Sequence, residues 1–188
     1  MNLDDLTRDV LDFWFGAPDS AELGADRAIW FQSDPKFDQE VRDRFGEAHQ
    51  LASEGKLDDL MQTQKGALAL IIILDQFSRN IYRNQGQAFA TDVHAQQYAE
   101  QALEKGFERG LLTVEKKFFY MPYMHAEDLN QQEKSIELFI KLGDPNTLTF
   151  ALCHRDQIVR FGRFPGRNQA LGRKSTPAEE AFLKNPFC

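Results

Sequence analysis

Cysteine is almost missing from this chain: Cys153 and Cys188 are the only two, far apart and outside any CxxC spacing. Neither a disulfide framework nor a structural zinc site is expected from them. Cys153 reads as a small buried hydrophobe and Cys188 as a tail thiol. Long apolar runs are missing too, since no window approaches the roughly 20 continuous apolar residues of a bilayer span. Met1 to Asp5 lacks the basic-then-apolar pattern of a signal peptide. The expectation is a cytoplasmic chain with no membrane partner. Positive charge is in deficit, with 22 Lys and Arg against 29 Asp and Glu and a net charge of −7. A surface that grips a phosphate backbone needs the opposite balance, so nucleic acid is not an expected partner.

The familiar catalytic and cofactor motifs are absent as well. There is no GxSxG, GxxxxGK[ST] or GxGxxG, which removes sequence support for nucleophile-elbow hydrolases, P-loop enzymes and dinucleotide binders. His125, Glu127, Asp128, His154 and Asp156 are all candidate metal ligands, but no HExxH sets two histidines on one helix face. The His125-x-Glu127 pair also lacks the Pro-Cys-x-x-Cys of the zinc deaminases. No metal and no cofactor is expected.

What is present is core material and helix punctuation. The 188 residues suit one domain (1–188), and 16 Phe, 4 Tyr and 2 Trp supply bulky side chains for its interior. Asp34-Pro35 and Asp144-Pro145 each place a capping carboxylate before a proline at the first helical position. Thr176, Pro177 and Glu179 have the spacing of a capping box and predict a short helix over Pro177–Lys184. Phe37, Val41, Phe45 and Ala48 recur at three- and four-residue steps, ahead of Gly55. Ala67 to Leu74 is apolar on every side and reads as a central helix reaching Phe77. Further helices are predicted over Leu6–Phe15, Thr91–Gly106, Thr113–Met121 (ended by Pro122), Ala126–Leu142 and Pro145–Phe164. The sum is an all-α chain of about seven to nine helices, with no linker dividing it.

Polar residues on faces that should be buried carry the functional signal. His154 shares a helical face with Ala151, Ile158 and Phe161. His125 is expected on one with Leu129, Gln132, Ile136 and Phe139, so both imidazoles should point inward. Asp75 precedes Arg79 by four residues, the spacing of an ion pair on one face. From His154 to Lys174 the chain carries Arg155, Arg160, Arg163, Arg167, Arg173 and Lys174 against Asp156 alone. Arg163 and Arg167 flank a Gly-Pro turn where two guanidinium forks suit a carboxylate or phosphate. The same arginines also suit helix capping and internal ion pairs with the acidic majority. Tyr120, Met121, Tyr123 and Met124 sit at helical spacing and read as core. A weak internal echo links Phe77-Ser78-Arg79-Asn80 to Phe164-Pro165-Gly166-Arg167-Asn168.

Leu74-Asp75-Gln76-Phe77-Ser78-Arg79-Asn80, Tyr120-Met121-Pro122-Tyr123-Met124-His125-Ala126-Glu127 and Arg160-Phe161-Gly162-Arg163-Phe164-Pro165-Gly166-Arg167-Asn168, followed by Leu171-Gly172-Arg173, resemble the signature segments of one family. It is the bacterial domain of unknown function family 924. The likeness includes Val10 to Gly16 and Trp30-Phe31, so it spans nearly the whole chain. It implies an all-α fold resembling a right-handed tetratricopeptide-like bundle or short superhelix, and no activity. Gly166 departs from the histidine that many relatives place there. Tyr98 to Leu103 matches a tetratricopeptide helix only loosely, so the term describes shape.

The leading functional expectation is a scaffold that binds a protein partner or small anionic ligand through Asp75, Arg79, His125, Glu127, His154, Arg163 and Arg167. Arg79, Arg163 and Arg167 would hold the anion and Asp75 would orient Arg79. The alternative is a hydrolase-like enzyme in which His125 or His154 is the general acid/base and arginines stabilise negative charge.

Overall fold

The computed structural model describes residues 2–186 and 188, and every regular element among them is helical. Helix α1 (Leu3–Phe15) starts on Asn2, whose side chain accepts from the Asp4 and Asp5 amides, and stops at Gly16 with φ 93°. Helix α2 (Pro35–Ser53) and α8 (Pro145–Phe161) begin on the predicted carboxylates: Asp34 accepts from the Lys36 and Phe37 amides, and Asp144 from those of Asn146 and Thr147. Helix α9 (Pro177–Leu183) carries the predicted capping box, with Thr176 and Glu179 each accepting from the other's amide. These helix starts are local decisions, which is why short spacing rules found them.

The apolar run forms the middle of the molecule. Helix α3 (Gln64–Ile72) passes through a π-helical turn, Ile73–Phe77, into the short α4 (Ser78–Ile81). Every residue from Ala67 to Leu74 is fully buried. Helices α1, α5 (Asp92–Glu104) and α6 (Thr113–Met124) pack around α3, and α2 packs on the π turn and α4. Beyond them α5, α6, α7 (Leu129–Leu142) and α8 each lie against the next, a stacking compatible with a tetratricopeptide-like arrangement.

An aromatic cluster joins the N-terminal half. Phe45 stacks on Phe77 with centroids 4.7 Å apart, Trp30 meets Phe118 edge-on at 4.9 Å, and the Trp30 Nε1–H donates to the Trp14 carbonyl at 2.9 Å. That last bond satisfies the one polar atom a buried indole brings.

Three expectations change. Pro122 does not end its helix, because so near the C-terminus its missing N–H removes a single bond, and α6 runs on to Met124. Helix α7 starts at Leu129, after Asp128 caps it by accepting from the Gln131 amide, and not at Ala126. His125 is therefore the C-terminal cap of α6 and not a member of the α7 face. Finally, Cys153 and Cys188 are not separate thiols: they form a disulfide with Cα atoms 6.3 Å apart, tying the tail to α8. Chain folding brings them together, and spacing along the sequence carries no sign of that.

Gly66 fixes how α3 enters the core. A Cβ there would lie 2.3 Å from the Leu60 carbonyl oxygen and 2.8 Å from Thr63 Oγ1. Gly66→Ala is expected to cost about 1–3 kcal/mol, read as a lower urea midpoint at unchanged m-value. The disulfide predicts that native protein shows no free thiol to Ellman's reagent. Cys188→Ser is expected to lose stability within the range of about 2–4 kcal/mol typical of native disulfides.

Candidate functional site

Asp75 sits in the π turn, 1% exposed, inside an otherwise apolar helix. A carboxylate in that position survives only if surrounding groups replace its water. His125 Nδ1 lies 2.7 Å from Oδ1, Arg79 Nη1 lies 3.1 Å from the same oxygen, and the Gln76 amide donates to Oδ2 at 2.5 Å. Burial alone would raise the Asp75 carboxyl. The His125 ring, the Arg79 guanidinium and the Gln76 amide more than offset it and hold the group below the ordinary carboxylate range.

Arg79 then reaches outward. It donates to Asp92 through both terminal nitrogens, at 2.9 and 3.1 Å, and to the Asp75 carbonyl at 2.5 Å. Arg167 arrives from the far end of the chain and donates to Asp92 Oδ2 at 3.0 Å and to the His125 carbonyl at 2.8 Å. Its guanidinium lies between the rings of Phe89 and Phe164, 4.5 and 4.7 Å from their centroids. Burial, and next the nearby Arg79 charge, lower Arg167 to about 10. The two echoed segments thus each supply one arginine to a single carboxylate.

Both histidines present an uncommitted nitrogen. Ionised Asp75 and the Phe150 carbonyl can only accept, so Nδ1 carries the proton in His125 and in His154, the latter at 2.8 Å from Phe150. Nε2 of each ring has no hydrogen-bond partner among the described residues, yet neither atom is sealed from solvent. The ring centroids stand 6.4 Å apart, and Phe164 packs edge-on against His154 at 5.4 Å. Burial lowers His154 to about 4, and burial followed by Arg79 lowers His125, so both rings are neutral near pH 7.

The remaining two predicted site residues stand apart from this group. Glu127 accepts the Phe164 amide at 2.7 Å and both terminal nitrogens of Arg173 at 2.7 and 2.9 Å, so it braces the segment that delivers Arg167. Arg163 pairs with Glu179 at 2.7 and 2.9 Å and with the Lys174 carbonyl at 3.0 Å, facing α9. Arg163 and Arg167 hold different carboxylates, so the expected two-guanidinium clamp around the turn is not formed. Asp92 is the member of the cluster that sequence reasoning missed. It sits in the first turn of α5, where an acid is commonplace, and its arginines are 13 and 75 residues away. No group of three or more His, Cys, Asp or Glu among the described residues is arranged to hold a metal ion.

Fold and site together define an all-helical protein with a buried acid–imidazole–arginine cluster. The chain belongs to the family described as bacterial protein of unknown function, DUF924, whose model matches residues 10–187. A solved structure titled as a protein of unknown function, ATU0120, from Agrobacterium tumefaciens is similar at 36% identity and a TM-score of 0.87. The match covers 97% of this chain and 99% of that one. No protein of curated function matches the chain.

The depressed groups set a pH dependence. Asp75, His125 and His154 all have folded-state pKa values below the unfolded ones, so the unfolded chain binds more protons and stability falls as pH falls. The His154 share is complete above its unfolded value near 6.5 and is lost towards pH 4, amounting to up to roughly 3 kcal/mol. Urea unfolding from pH 7.5 to 4 is expected to lose at least that amount in wild type, and His154→Gln is expected to lose less over the same window, keeping the slope that His125 contributes.

Proposed function

We propose that the cluster is a proton-transfer site in a hydrolase-like enzyme, with His125 Nε2 as the general base and its conjugate acid. One observation carries this reading: a sealed carboxylate holds the Nδ1–H of His125 and leaves Nε2 unpartnered at a solvent-reaching edge. That arrangement selects the tautomer a base requires, orients the ring, and stabilises the imidazolium once a proton is taken. His154 Nε2, on the neighbouring ring, is a second acceptor for the substrate or for the attacking water. Arg79 and Arg167 pair with Asp75 and Asp92, and so hold the acid that orients the His125 ring.

The anion-binding reading has weaker support. The donors of Arg79 and Arg167 are committed to Asp75, Asp92 and the His125 carbonyl, and those of Arg163 to Glu179 and the Lys174 carbonyl. An anion entering there would displace internal carboxylates. Among the described residues no helix is long and apolar enough to cross a membrane, and a cytoplasmic setting is part of the same proposal.

The test is hydrolysis of a panel of p-nitrophenyl esters, phosphoesters and glycosides by wild type and by His125→Asn, which keeps a donor for Asp75. Wild type is expected to exceed the variant by roughly 10²–10⁴ on at least one substrate class. Equal rates across the panel, with both proteins folded by circular dichroism, overturn the reading.

A further inference from the structure

A separate cavity of about 240 Å³ uses charge the opposite way: its cations outnumber their partners. It is lined by Glu108, Arg109, Thr113, Lys116, Tyr120, Lys141 and Leu142. Arg109 and Lys116 form no salt bridge among the described residues, and Lys141 has only a loose one, 3.9 Å from Glu108. Set against Glu108, three cations leave two positive charges uncompensated. In the acid–imidazole cluster, by contrast, both arginines are neutralised by carboxylates.

Two further features face the same space. Thr113, Lys116 and Tyr120 share one face of α6 at three- and four-residue steps, with Thr113 in its first turn, where Glu115 already accepts the Leu112 amide at 2.9 Å. Tyr120 is 2% exposed and packs edge-on against Phe139, yet its hydroxyl has no hydrogen-bond partner among the described residues and is not sealed. That hydroxyl is open to whatever enters the cavity, solvent or ligand.

We propose that this cavity binds the phosphate monoester group of a small metabolite. The group's charge of about −1.5 to −2 near neutral pH matches the uncompensated cations. Arg109, Lys116 and Lys141 hold the phosphate oxygens, and Tyr120 and Thr113 donate to them. The cavity is smaller than the roughly 300–1,000 Å³ of drug-sized ligand sites, which selects a compact ester over a nucleotide. The inference stands apart from the proton-transfer reading, since no residue is shared.

Calorimetric titration with glycerol 3-phosphate, glycerol and sulfate tests it. Wild type is expected to bind the ester saturably and glycerol not at all, with Kd at least tenfold weaker in Tyr120→Phe and in Lys116→Gln and unchanged in His125→Asn. Tyr120→Phe removes only the hydroxyl and keeps the ring against Phe139, so lost binding there is not lost folding. No saturable binding of the ester, sulfate binding as tightly, or full affinity in Tyr120→Phe each overturns the proposal.

Discussion

The arrangement around α3 depends on one buried carboxylate. Asp75 interrupts a helix whose other residues from Ala67 to Leu74 are apolar and sealed, and it is kept ionised by His125, Arg79 and Gln76. Each of those partners has to come from a defined place, so the demand for compensation propagates outward. Arg79 brings a second positive charge needing its own acid, Asp92, and Asp92 in turn has capacity left for Arg167. Arg167 is held by Phe89, Phe164 and the Glu127–Arg173 brace. One desolvated charge thereby connects the central helix to a segment ninety residues downstream.

The π turn is the local device that lets this happen. A wider turn inserts a residue relative to α-helical phase, rotating everything after it about the axis. Ser78 and Asn80 after the turn are buried polar residues, with Asn80 donating to Asp38 at 2.8 Å, whereas Ala67 to Ile72 before it are apolar and fully buried. The change of phase and the change from apolar to polar surroundings coincide at Asp75.

Much of the architecture was legible because its signals are local. Asp34, Asp144 and Thr176 cap helices through atoms two or three residues away, and the Ala67–Leu74 run needs no partner to declare itself buried. The candidate site was legible only in part, for the same reason inverted. Asp75 and Arg79 are four apart and were paired in advance. His125 was expected to point inward, which it does, but from the end of α6 and not from α7, because Pro122 was given more power to stop a helix than it has. Asp92 and the Cys153–Cys188 bond were invisible, since what makes them significant lies 13, 75 and 35 residues away. The echo of Phe77-Ser78-Arg79-Asn80 in Phe164 to Asn168 was the one sequence hint that two distant arginines converge.

The charge distribution reverses a natural inference from composition. The cationic stretch after His154 invited an anion, yet its arginines are spent internally: Arg163 on Glu179, Arg167 on Asp92 and Arg173 on Glu127. In a chain of net charge −7 a local surplus of arginine is the supply that lets buried acids ionise, and it ceases to be available for anything else. What the cluster leaves unsatisfied is neither cation nor anion but two neutral imidazole nitrogens. The proposed proton transfer rests on that remainder, a pair of acceptors at a solvent edge. Arg109 and Lys116, which form no salt bridge among the described residues, lie on α6 and the loop before it, where the linear pattern of charge drew no attention.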